Sequence, residues 1–443
     1  MTGVKRVLVV SRHPYPIGTT LRRNVTQLVA WGLNVDVVCL TSGFRWASLV
    51  ADQPGLRLYG IPIKARRTHA FWYALHYLTF FLWALVVVSL LGLLRRYDVI
   101  EVENTPDFLV FTTVLARIRR PRIVLFSMEL MPELTAARLR LDPQALPVRL
   151  ATSLERAAIA WVDHVITVSE PCRRILVGRG LPSDKVTVVP NSHPVAGLGS
   201  ARPTQPPFLI IQTTLIERYG VHIAIHALAR LASEWPGLTL RILGQGESEP
   251  LLVELTSRLG LQDRVHFSHG FLPWRPMIDQ VRQATLGLVP MLADGYGDLC
   301  LPNKVLEFAA LGIPVVCSRL PAIEEHFPED CLAYFEPGDA DGLAAQVQRL
   351  LADPSAARRQ AGLARAAMEG LAWESVSSRY RDALGLSLAK RADVSRGATL
   401  RLSDRAHREE TNQPSGDGSR DDSRGAFRAT SAEGRDASGD IVN

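Results

Sequence analysis

Short apolar runs alternate with helix-length amphipathic segments along most of the chain. Residues 6–10 form the first run, which is apolar after its arginine, as expected for a strand buried on both faces of a parallel sheet. Residues 24–31 have helical periodicity, Gly32 ends that helix, and residues 35–40 form a second apolar run. This order predicts a βαβ unit. The same alternation predicts further strands at residues 97–102, 122–126, 164–168 and 185–189.

A second series of the same kind follows a segment rich in Gly, Pro, Ser and Ala. Its predicted strands are residues 208–211, 238–243, 265–267, 286–289 and 313–317, with helical segments between them and over 340–388. We therefore predict an α/β fold with two doubly wound parallel-sheet domains that face a cleft. The expected division is a first domain over 1–198, a linker over 199–207, a second domain over 208–372, a C-terminal helix over 373–390 that packs back on the first domain, and a disordered tail over 391–443.

One segment is long and apolar enough to change this picture. Residues 71–94 carry no charge and are bracketed by arginine pairs, so their length alone would span a bilayer. A crossing would separate the strands before it from those after it, which argues against spanning. Helical spacing places His69, Trp72, His76, Thr79 and Trp83 on one face and Leu75, Leu78, Leu82 and Leu85 on another. Two interpretations remain, a helix packed within the first domain and an interfacial helix on a membrane surface.

Composition excludes several classes of protein. Of 443 residues, 47% are hydrophobic and 21% charged, which is typical of a globular enzyme. The net charge is +6, but the 45 arginines and five lysines are scattered without a basic block or interleaved aromatics, so no nucleic-acid partner is expected. Five dispersed cysteines without a C-x-x-C spacing, and an amino terminus without a signal-peptide pattern, predict a cytoplasmic protein that could also lie peripherally on the cytoplasmic face of the membrane.

The most informative stretch is residues 297–316. Pro302 suits the first turn of a helix, and the N–H groups that follow form an anion site. Glu307 lies about one turn further along, where its carboxylate could accept hydrogen bonds from a pair of hydroxyls. A nucleoside diphosphate has this layout, with phosphates at the helix start and ribose hydroxyls near the acid.

The motif Pro302-x-Lys304-x-x-Glu307-x-x-Ala310-x-Gly312-x-Pro314 resembles the donor-binding signature of family 4 glycosyltransferases with the GT-B fold. Residues 163–169, 185–191, 215–221, 243–246, 265–270 and 337–339 resemble other parts of that family in the same order. The resemblance covers about residues 4–388. It implies two Rossmann-like domains, an acceptor-binding first domain, a second domain that binds a nucleotide-sugar, and transfer with retention of configuration. A metal or cofactor is not expected, since basic groups can counter the diphosphate and no D-x-D pair stands in a suitable loop.

The resemblance also assigns residues. It implies that Glu307 holds the ribose and that Arg218 and Lys304 counter the diphosphate, although Tyr219 stands where the family usually has lysine. The other donor-binding candidates are Gly18, Gly244, Gly246, Asp298, Pro302 and Asn303. The glycines would equally serve ordinary tight turns. The catalytic candidates are Arg218, Lys304 and Glu129, the last of which either acts on the acceptor hydroxyl or is a helix-start carboxylate. Weaker candidates on the acceptor side are Glu103, Asn104 and Glu133.

Two positions depart from the family pattern. The acid expected eight residues before Glu307 is Leu299, and Met128 stands where a histidine is common. The leading hypothesis is a glycosyltransferase that moves a sugar from a nucleoside-diphosphate-sugar to a saccharide or lipid-linked acceptor, in cell-surface polysaccharide or glycolipid biosynthesis. The alternatives are a nucleotide-sugar epimerase and a catalytically inactive nucleotide-sugar-binding partner of a membrane assembly. A dehydrogenase is disfavoured because the first loop lacks G-x-G-x-x-G.

Overall fold

The computed structural model describes residues 5–16, 19–50, 53–63, 70–192, 199–270, 272 and 274–386. Gly18 and the predicted tail over 391–443 lie outside these residues. Within them the chain forms two α/β units, each built on one mainly parallel sheet. The predicted fold class is confirmed.

The first sheet has eight strands in the order β3-β4-β2-β1-β5-β6-β7-β8. Its strands are β1 (Arg6–Pro14), β2 (Asn34–Leu40), β3 (Arg45–Leu49), β4 (Leu56–Ile61), β5 (Val99–Glu103), β6 (Arg122–Ser127), β7 (His164–Thr167) and β8 (Val186–Val188). All pairings are parallel except that of the edge strand β3 with β4. The helices of this half are α1 (Thr19–Ala30), α2 (Ala70–Leu94), α3 (Met131–Leu139), α4 (Leu146–Trp161) and α5 (Glu170–Gly178), with 3₁₀ helices η1 (Asp107–Thr113) and η2 (Ala116–Arg119).

The second sheet has six parallel strands in the order β11-β10-β9-β12-β13-β14. They are β9 (Phe208–Gln212), β10 (Thr239–Leu243), β11 (Val265–Phe267), β12 (Leu286–Val289), β13 (Val315–Ser318) and β14 (Ala333–Phe335). The helices are α6 (Val221–Leu231), α7 (Glu249–Arg258), α8 (Trp274–Val281), α9 (Asn303–Leu311), α10 (Pro321–Glu324), α11 (Ala340–Ala352), α12 (Pro354–Leu371) and α13 (Trp373–Ala383). The helical segment over 340–388 is thus divided, and Asp353 caps the start of α12.

The long apolar helix α2 packs against the first sheet with one face and exposes the other. Phe80, Ala84 and Val88 are fully buried in the first-domain core. His76 is also buried, and its Nε2 lies 3.4 Å from the Ile63 carbonyl oxygen. His69 and the side chain of Trp72 are not among the parts of the chain that the structure describes. Among the described residues only the segment Leu75–Leu94, with a mean hydropathy of 2.4, has the length and composition to cross a membrane. However, β2 before α2 and β5 after it both pair with β1, so the chain on either side of this helix shares one sheet.

The last helix, α13, leaves the second unit and packs on the first. Trp373 and Tyr380 belong to the first-domain core. The Trp373 indole donates to Gln27 Oε1 at 2.7 Å, and the Arg122 guanidinium donates to the Ala383 carbonyl oxygen at 3.1 Å. Burial of its aromatic face against α1 and the first sheet therefore fixes the position of α13.

Candidate functional site

The second sheet has a topological switch point between β9 and β12, where the order in which strands are added reverses. Strands are added on one side as β10 and β11 and on the other as β13 and β14, and ligands of open α/β sheets bind beyond the carboxyl ends of the strands at such a point. A crevice lies there. Its lining residues are Ile211, Gln212, Thr213, Tyr219, Leu288, Val289, Pro290, Met291, Pro302 and Lys304.

The amino terminus of α9 forms one wall of this crevice. Pro302 precedes the first helical residue, one position earlier than the sequence predicts, and no side chain caps the helix start. The first turn contains no acidic residue. Backbone N–H groups at this end have no partner within the helix, and the helix dipole adds positive charge there. The crevice therefore presents an anion-binding wall.

Glu307 lies one turn into α9 and is only 9% exposed. Its Oε2 accepts a hydrogen bond from the Gln212 side chain at the end of β9. Burial raises the pKa of Glu307 to about 7, while Lys304 and Gln212 oppose that rise. Nearby, Gln212 Oε1 and Thr213 Oγ1 are buried and have no hydrogen-bond partner among the described residues. Since buried polar atoms are normally paired, these two atoms indicate positions for ligand groups.

Lys304 and Tyr219 face each other across the crevice. The Lys304 ammonium lies 5.8 Å from the centre of the Tyr219 ring. Burial lowers the pKa of Lys304, and the neighbouring Glu307 opposes that shift. A half-buried cation gains more from a bound anion than an exposed one, because less water screens the pair. Lys304 is therefore suited to a phosphate.

Arg218 is held at the mouth of the crevice by two side chains. Its Nε donates to Asp294 Oδ2 at 2.5 Å, and its guanidinium lies 4.4 Å from the centre of the Tyr296 ring. Tyr296 in turn lies beside Glu129, which belongs to the first domain. Burial foremost, with Cys300 and Glu129 adding to it, raises the pKa of Tyr296. Glu129, Tyr296 and Arg218 thus form a continuous group across the cleft.

Asn104 positions the segment that carries Glu129. Its Oδ1 accepts from the Met128 backbone N–H at 2.8 Å, and its Nδ2 donates to Asp107 Oδ1 at 3.0 Å and to the Glu129 carbonyl oxygen. Both the oxygen and the nitrogen of the Asn104 side-chain amide are therefore hydrogen-bonded to groups of the first domain. The structure therefore gives Asn104 a positioning role beneath Glu129, and its predicted contact with the acceptor has no support in this geometry.

Glu103 and Glu133 are each paired with other side chains of the first domain. Glu103 is fully buried and accepts a hydrogen bond from the Ser11 hydroxyl, and burial together with Glu101 raises its pKa to about 8. Glu133 forms an ion pair with Arg179, which also binds Glu155 Oε1 at 2.6 Å. The Glu133 pair joins α3 to the residue that follows α5, so a structural role accounts for this acid.

The remaining donor candidates are placed as follows. Gly244 has a φ of +148°, a Cβ there would overlap the Thr213 carbonyl oxygen, and its N–H donates to Ser268 Oγ at 2.9 Å. A Cβ at Gly246 would overlap the Leu215 carbonyl oxygen. Close approach of two loops therefore accounts for both glycines. Asp298 lies half-buried in a single 3₁₀ turn, and Asn303 is the first residue of α9.

The two departures from the family pattern have different surroundings. Leu299 is 6% exposed and packs with the first-domain core, and its carbonyl oxygen accepts from Ser169 Oγ at 3.0 Å. The position expected to carry an acid therefore joins the two domains. Met128 is half-buried in the segment that Asn104 holds.

Gln212, Thr213, Asp294 and Tyr296 were not among the predicted residues. A signal existed for Gln212, since it is the polar residue that ends an otherwise apolar strand, and the carboxyl ends of parallel strands carry binding groups. Tyr296 and Asp294 stand in an irregular loop, where no periodicity marks them. Among the described residues, no group of three or more His, Cys, Asp or Glu side chains could hold a metal ion. The metal and cofactor expectations remain predictions.

Two family models match the chain, one on each unit. Residues 17–192 match a glycosyl transferase 4-like domain, and residues 207–353 match glycosyl transferases group 1. Glycogen synthase of Mycobacterium tuberculosis is 31% identical over 208 residues, which are 46% of this chain and 48% of that protein. The lipopolysaccharide core biosynthesis glycosyltransferase LpsE of Rhizobium meliloti is 32% identical over 161 residues, 36% of this chain and 44% of that protein. The chain thus spans about half the length of the curated relatives it matches.

Solved structures share the whole two-domain architecture. Sucrose-phosphate synthase from Thermosynechococcus elongatus has a TM-score of 0.66 at 18% identity, with 86% of this chain and 100% of that chain covered. Anabaena HepE in complex with UDP-glucose has a TM-score of 0.63 at 17% identity, with 86% and 99% covered. At these identities the likeness shows the fold alone.

Proposed function

The chain belongs to the family 4 type of GT-B glycosyltransferases, and we propose that it transfers a sugar from a nucleoside-diphosphate-sugar to a saccharide or lipid-linked acceptor. The observation that carries the proposal is the crevice at the end of β9 and β12. There a helix amino terminus and Lys304 meet Gln212, which binds the buried Glu307, and two buried polar atoms that have no partner among the described residues. Relatives in lipopolysaccharide synthesis, and a structural neighbour that binds UDP-glucose, support a nucleotide-sugar donor and a role in cell-surface polysaccharide or glycolipid synthesis.

In this proposal the donor spans the crevice. The diphosphate lies at the start of α9 between Lys304 and Arg218, and the ribose hydroxyls donate to the Glu307 carboxylate. Arg218 exchanges Asp294 for phosphate when the donor binds, and Tyr296 keeps its guanidinium in place. As the bond to the sugar breaks, these fixed charges stabilise the departing diphosphate without a metal ion.

Glu129 is the proposed group on the acceptor side. It reaches into the cleft from the first domain, where it can accept the proton of an acceptor hydroxyl once Tyr296 moves aside. Reaction on the face from which the diphosphate leaves gives retention of configuration, and closure of the two domains excludes water that would hydrolyse the donor.

The five cysteines are all free, in accord with the proposed cytoplasmic location.

Substitution of Glu307 tests the site directly. Glu307→Gln removes a charged acceptor while keeping the side-chain volume next to Gln212, and hydrogen bonds to charged groups are worth about 1.5–3 kcal/mol. We therefore expect donor affinity, measured by calorimetry, to fall about 10- to 100-fold. Wild-type affinity should also weaken between pH 8 and pH 6 as Glu307 takes up a proton, and the variant should lack this dependence.

A matched control is Glu254→Gln, which changes a carboxylate that is 64% exposed on α7. An unchanged donor affinity in Glu307→Gln would show that Glu307 does not belong to the donor site.

A panel of nucleotide-sugars then separates the proposed transferase from the alternative functions. Diphosphate release that rises with added acceptor supports the transferase, turnover without acceptor indicates hydrolysis or epimerisation, and binding without turnover indicates an inactive partner.

A further inference from the structure

Exposed large apolar side chains are concentrated on one domain. Among the described residues there are twenty of them, and seventeen lie before residue 190. The other three are Leu251, Val253 and Leu363. The two domains have the same architecture, so the fold itself does not explain the difference. Contiguous exposed apolar patches mark interaction sites.

Helix α2 carries the largest part of this surface. Its exposed residues follow helical spacing of three and four, and they are 39–55% exposed: Leu75, Leu78, Leu82, Val86, Leu90 and Leu93. The opposite face is buried in the first-domain core. The helix is therefore fixed to the protein on one side and presents a continuous apolar stripe on the other.

Neighbouring elements extend the stripe. Helix α2 packs along η1 and η2, and η1 packs on α4. On η2, Ile118 is 68% exposed, and on α4 the residues Leu146, Leu150 and Leu154 are 67%, 56% and 44% exposed at intervals of one turn. We call the exposed residues of α2, η2 and α4 the docking face.

The charges on the docking face have one sign. Its elements and the turns that end α2 and η2 expose six arginines, namely Arg96, Arg117, Arg119, Arg120, Arg149 and Arg156. The acids of η1 and α4, Asp107 and Glu155, are buried, and the described parts of α2 and η2 contain none. The exposed acids nearby lie outside these elements, with Asp98 after α2 and Asp142 and Asp163 on either side of α4, so the arginines outnumber them two to one. Each cation near an anionic bilayer adds about 1 kcal/mol to binding.

We propose that the docking face binds an anionic lipid bilayer, with α2 lying in the interface plane. Leucines would enter the acyl boundary and arginines would contact the headgroups. A crossing orientation does not fit, because the inner face of α2 is packed in the core and the strands around it share one sheet. A second copy fits poorly as the occupant, since an isologous contact would set arginines against arginines.

The orientation of α2 brings the bilayer close to the cleft. Near the start of α2, the Tyr77 ring lies 4.1 Å from the Arg12 guanidinium, and Arg12 Nε donates to the Thr105 carbonyl oxygen at 3.2 Å. Arg12 lies at the carboxyl-terminal end of β1 and Thr105 just beyond that of β5, on the side where ligands of such sheets bind. Docked in this way, the protein would reach a lipid-linked acceptor at the membrane surface. This last step rests on the proposed function, whereas docking does not.

Co-sedimentation of the full chain with vesicles tests the proposal. Vesicles of phosphatidylcholine with about one-third phosphatidylglycerol should bind the wild-type protein, and raised salt should weaken binding. The double variant Leu82→Glu/Leu150→Glu should bind at least about tenfold more weakly, because each change replaces an inserted leucine by a repelled charge. Leu251→Glu, a change of the same kind at a 68% exposed position on α7, should bind as the wild type does.

Three results would overturn docking. The first is failure of the wild-type protein to bind anionic vesicles, and the second is an equal loss in Leu251→Glu. The third is a dimer, seen by light scattering without lipid, that the double variant dissociates, since this would assign the face to a second copy. Vesicle binding is measured without donor or acceptor, so it stands or falls independently of sugar transfer. Melting temperatures of all variants check that each one folds.

Discussion

Gly220 holds two loops together at the edge of the crevice. It has a φ of +63°, and a Cβ at this position would overlap the Pro290 carbonyl oxygen at the end of β12. The Leu292 N–H donates to the Arg218 carbonyl oxygen at 2.8 Å, which ties the same two loops beside it. The place of Arg218 and Tyr219 in the crevice therefore depends on a residue without a side chain.

Alanine substitution should separate backbone strain from steric overlap at this point. Gly260 has a φ of +66° with nothing within 4 Å of a Cβ, so Gly260→Ala meets only the left-handed strain of about 1–2 kcal/mol. Gly220→Ala meets the same strain and the overlap, and should cost roughly 1–3 kcal/mol more in chemical denaturation. Equal losses in the two variants would show that the loops are not in tight contact.

Site residues could be predicted where the pattern that marks them lies within one stretch of sequence. Lys304 and Glu307 stand three residues apart on one helix, so spacing alone placed them together. Glu133 could not be assigned in this way, because its partner Arg179 lies 46 positions away and only the folded chain brings them together. The positioning role of Asn104 was not predictable for a related reason, since its bonds to the segment around Met128 depend on the pairing of β5 with β6.

At the level of elements, most of the buried strands were predicted, whereas β3, β4 and β14 were not. β1 and β9 are continuous apolar runs because both faces of a parallel sheet are covered. β3 escaped prediction, since it is an exposed antiparallel edge strand with Trp46 and Leu49 half or more exposed. Burial of both strand faces was the signal, and the exposed edge strand β3 lacks it.

Strand β5 and helix α13 share a buried polar cluster. Glu101 and Glu103 lie on the same face of β5, and the Tyr380 hydroxyl of α13 donates to Glu101 Oε2 at 2.5 Å. Burial raises the pKa of Glu101 to about 7 and that of Glu103 to about 8. Both acids bind protons more tightly in the folded chain than in the unfolded one. Their contribution to stability is therefore greatest at low pH and is lost as pH rises through these values.

Glu101→Gln should make stability less dependent on pH. In the wild-type protein each such acid lowers the unfolding free energy by up to about 1.4 kcal/mol per pH unit as pH rises between about 5 and 7. The variant lacks one titrating group, so the slope of melting temperature against pH over this interval should be shallower, with the slope from Glu103 remaining. Glu254→Gln on the surface of α7 serves as the control. Parallel slopes for wild type and Glu101→Gln would contradict the shifted pKa.

At the scale of the whole molecule, the segment between β12 and α9 connects the domains at the cleft. This segment carries Tyr296, Leu299 and Leu301, and each of them contacts the first domain. Asn191 Nδ2 donates to the Leu301 carbonyl oxygen at 3.0 Å. The same segment leads into the donor crevice, so the distance between the domains and the shape of the crevice are coupled.

Restoring the family acid should therefore disrupt the protein rather than improve it. Leu299→Glu places a carboxylate in an apolar contact that is 6% exposed, and an unpaired buried charge costs several kcal/mol. We expect a lower melting temperature, weaker association of the domains and no gain in sugar transfer. Leu299→Met, which conserves volume, should stay within about 1.5 kcal/mol of the wild type. A stable and more active Leu299→Glu protein would show instead that this position faces the donor.

Helix α13 has a consequence for how the polypeptide is made. Trp373, Val376 and Tyr380 complete the core around strands that begin at residue 6. A nascent chain emerges from the ribosome amino terminus first, so the first domain leaves the exit tunnel without the helix that covers Glu101. Its aromatic pocket and two buried acids stay open to water until nearly 200 further residues have been translated. Final closure of the first domain is thus a late event that follows synthesis of the second.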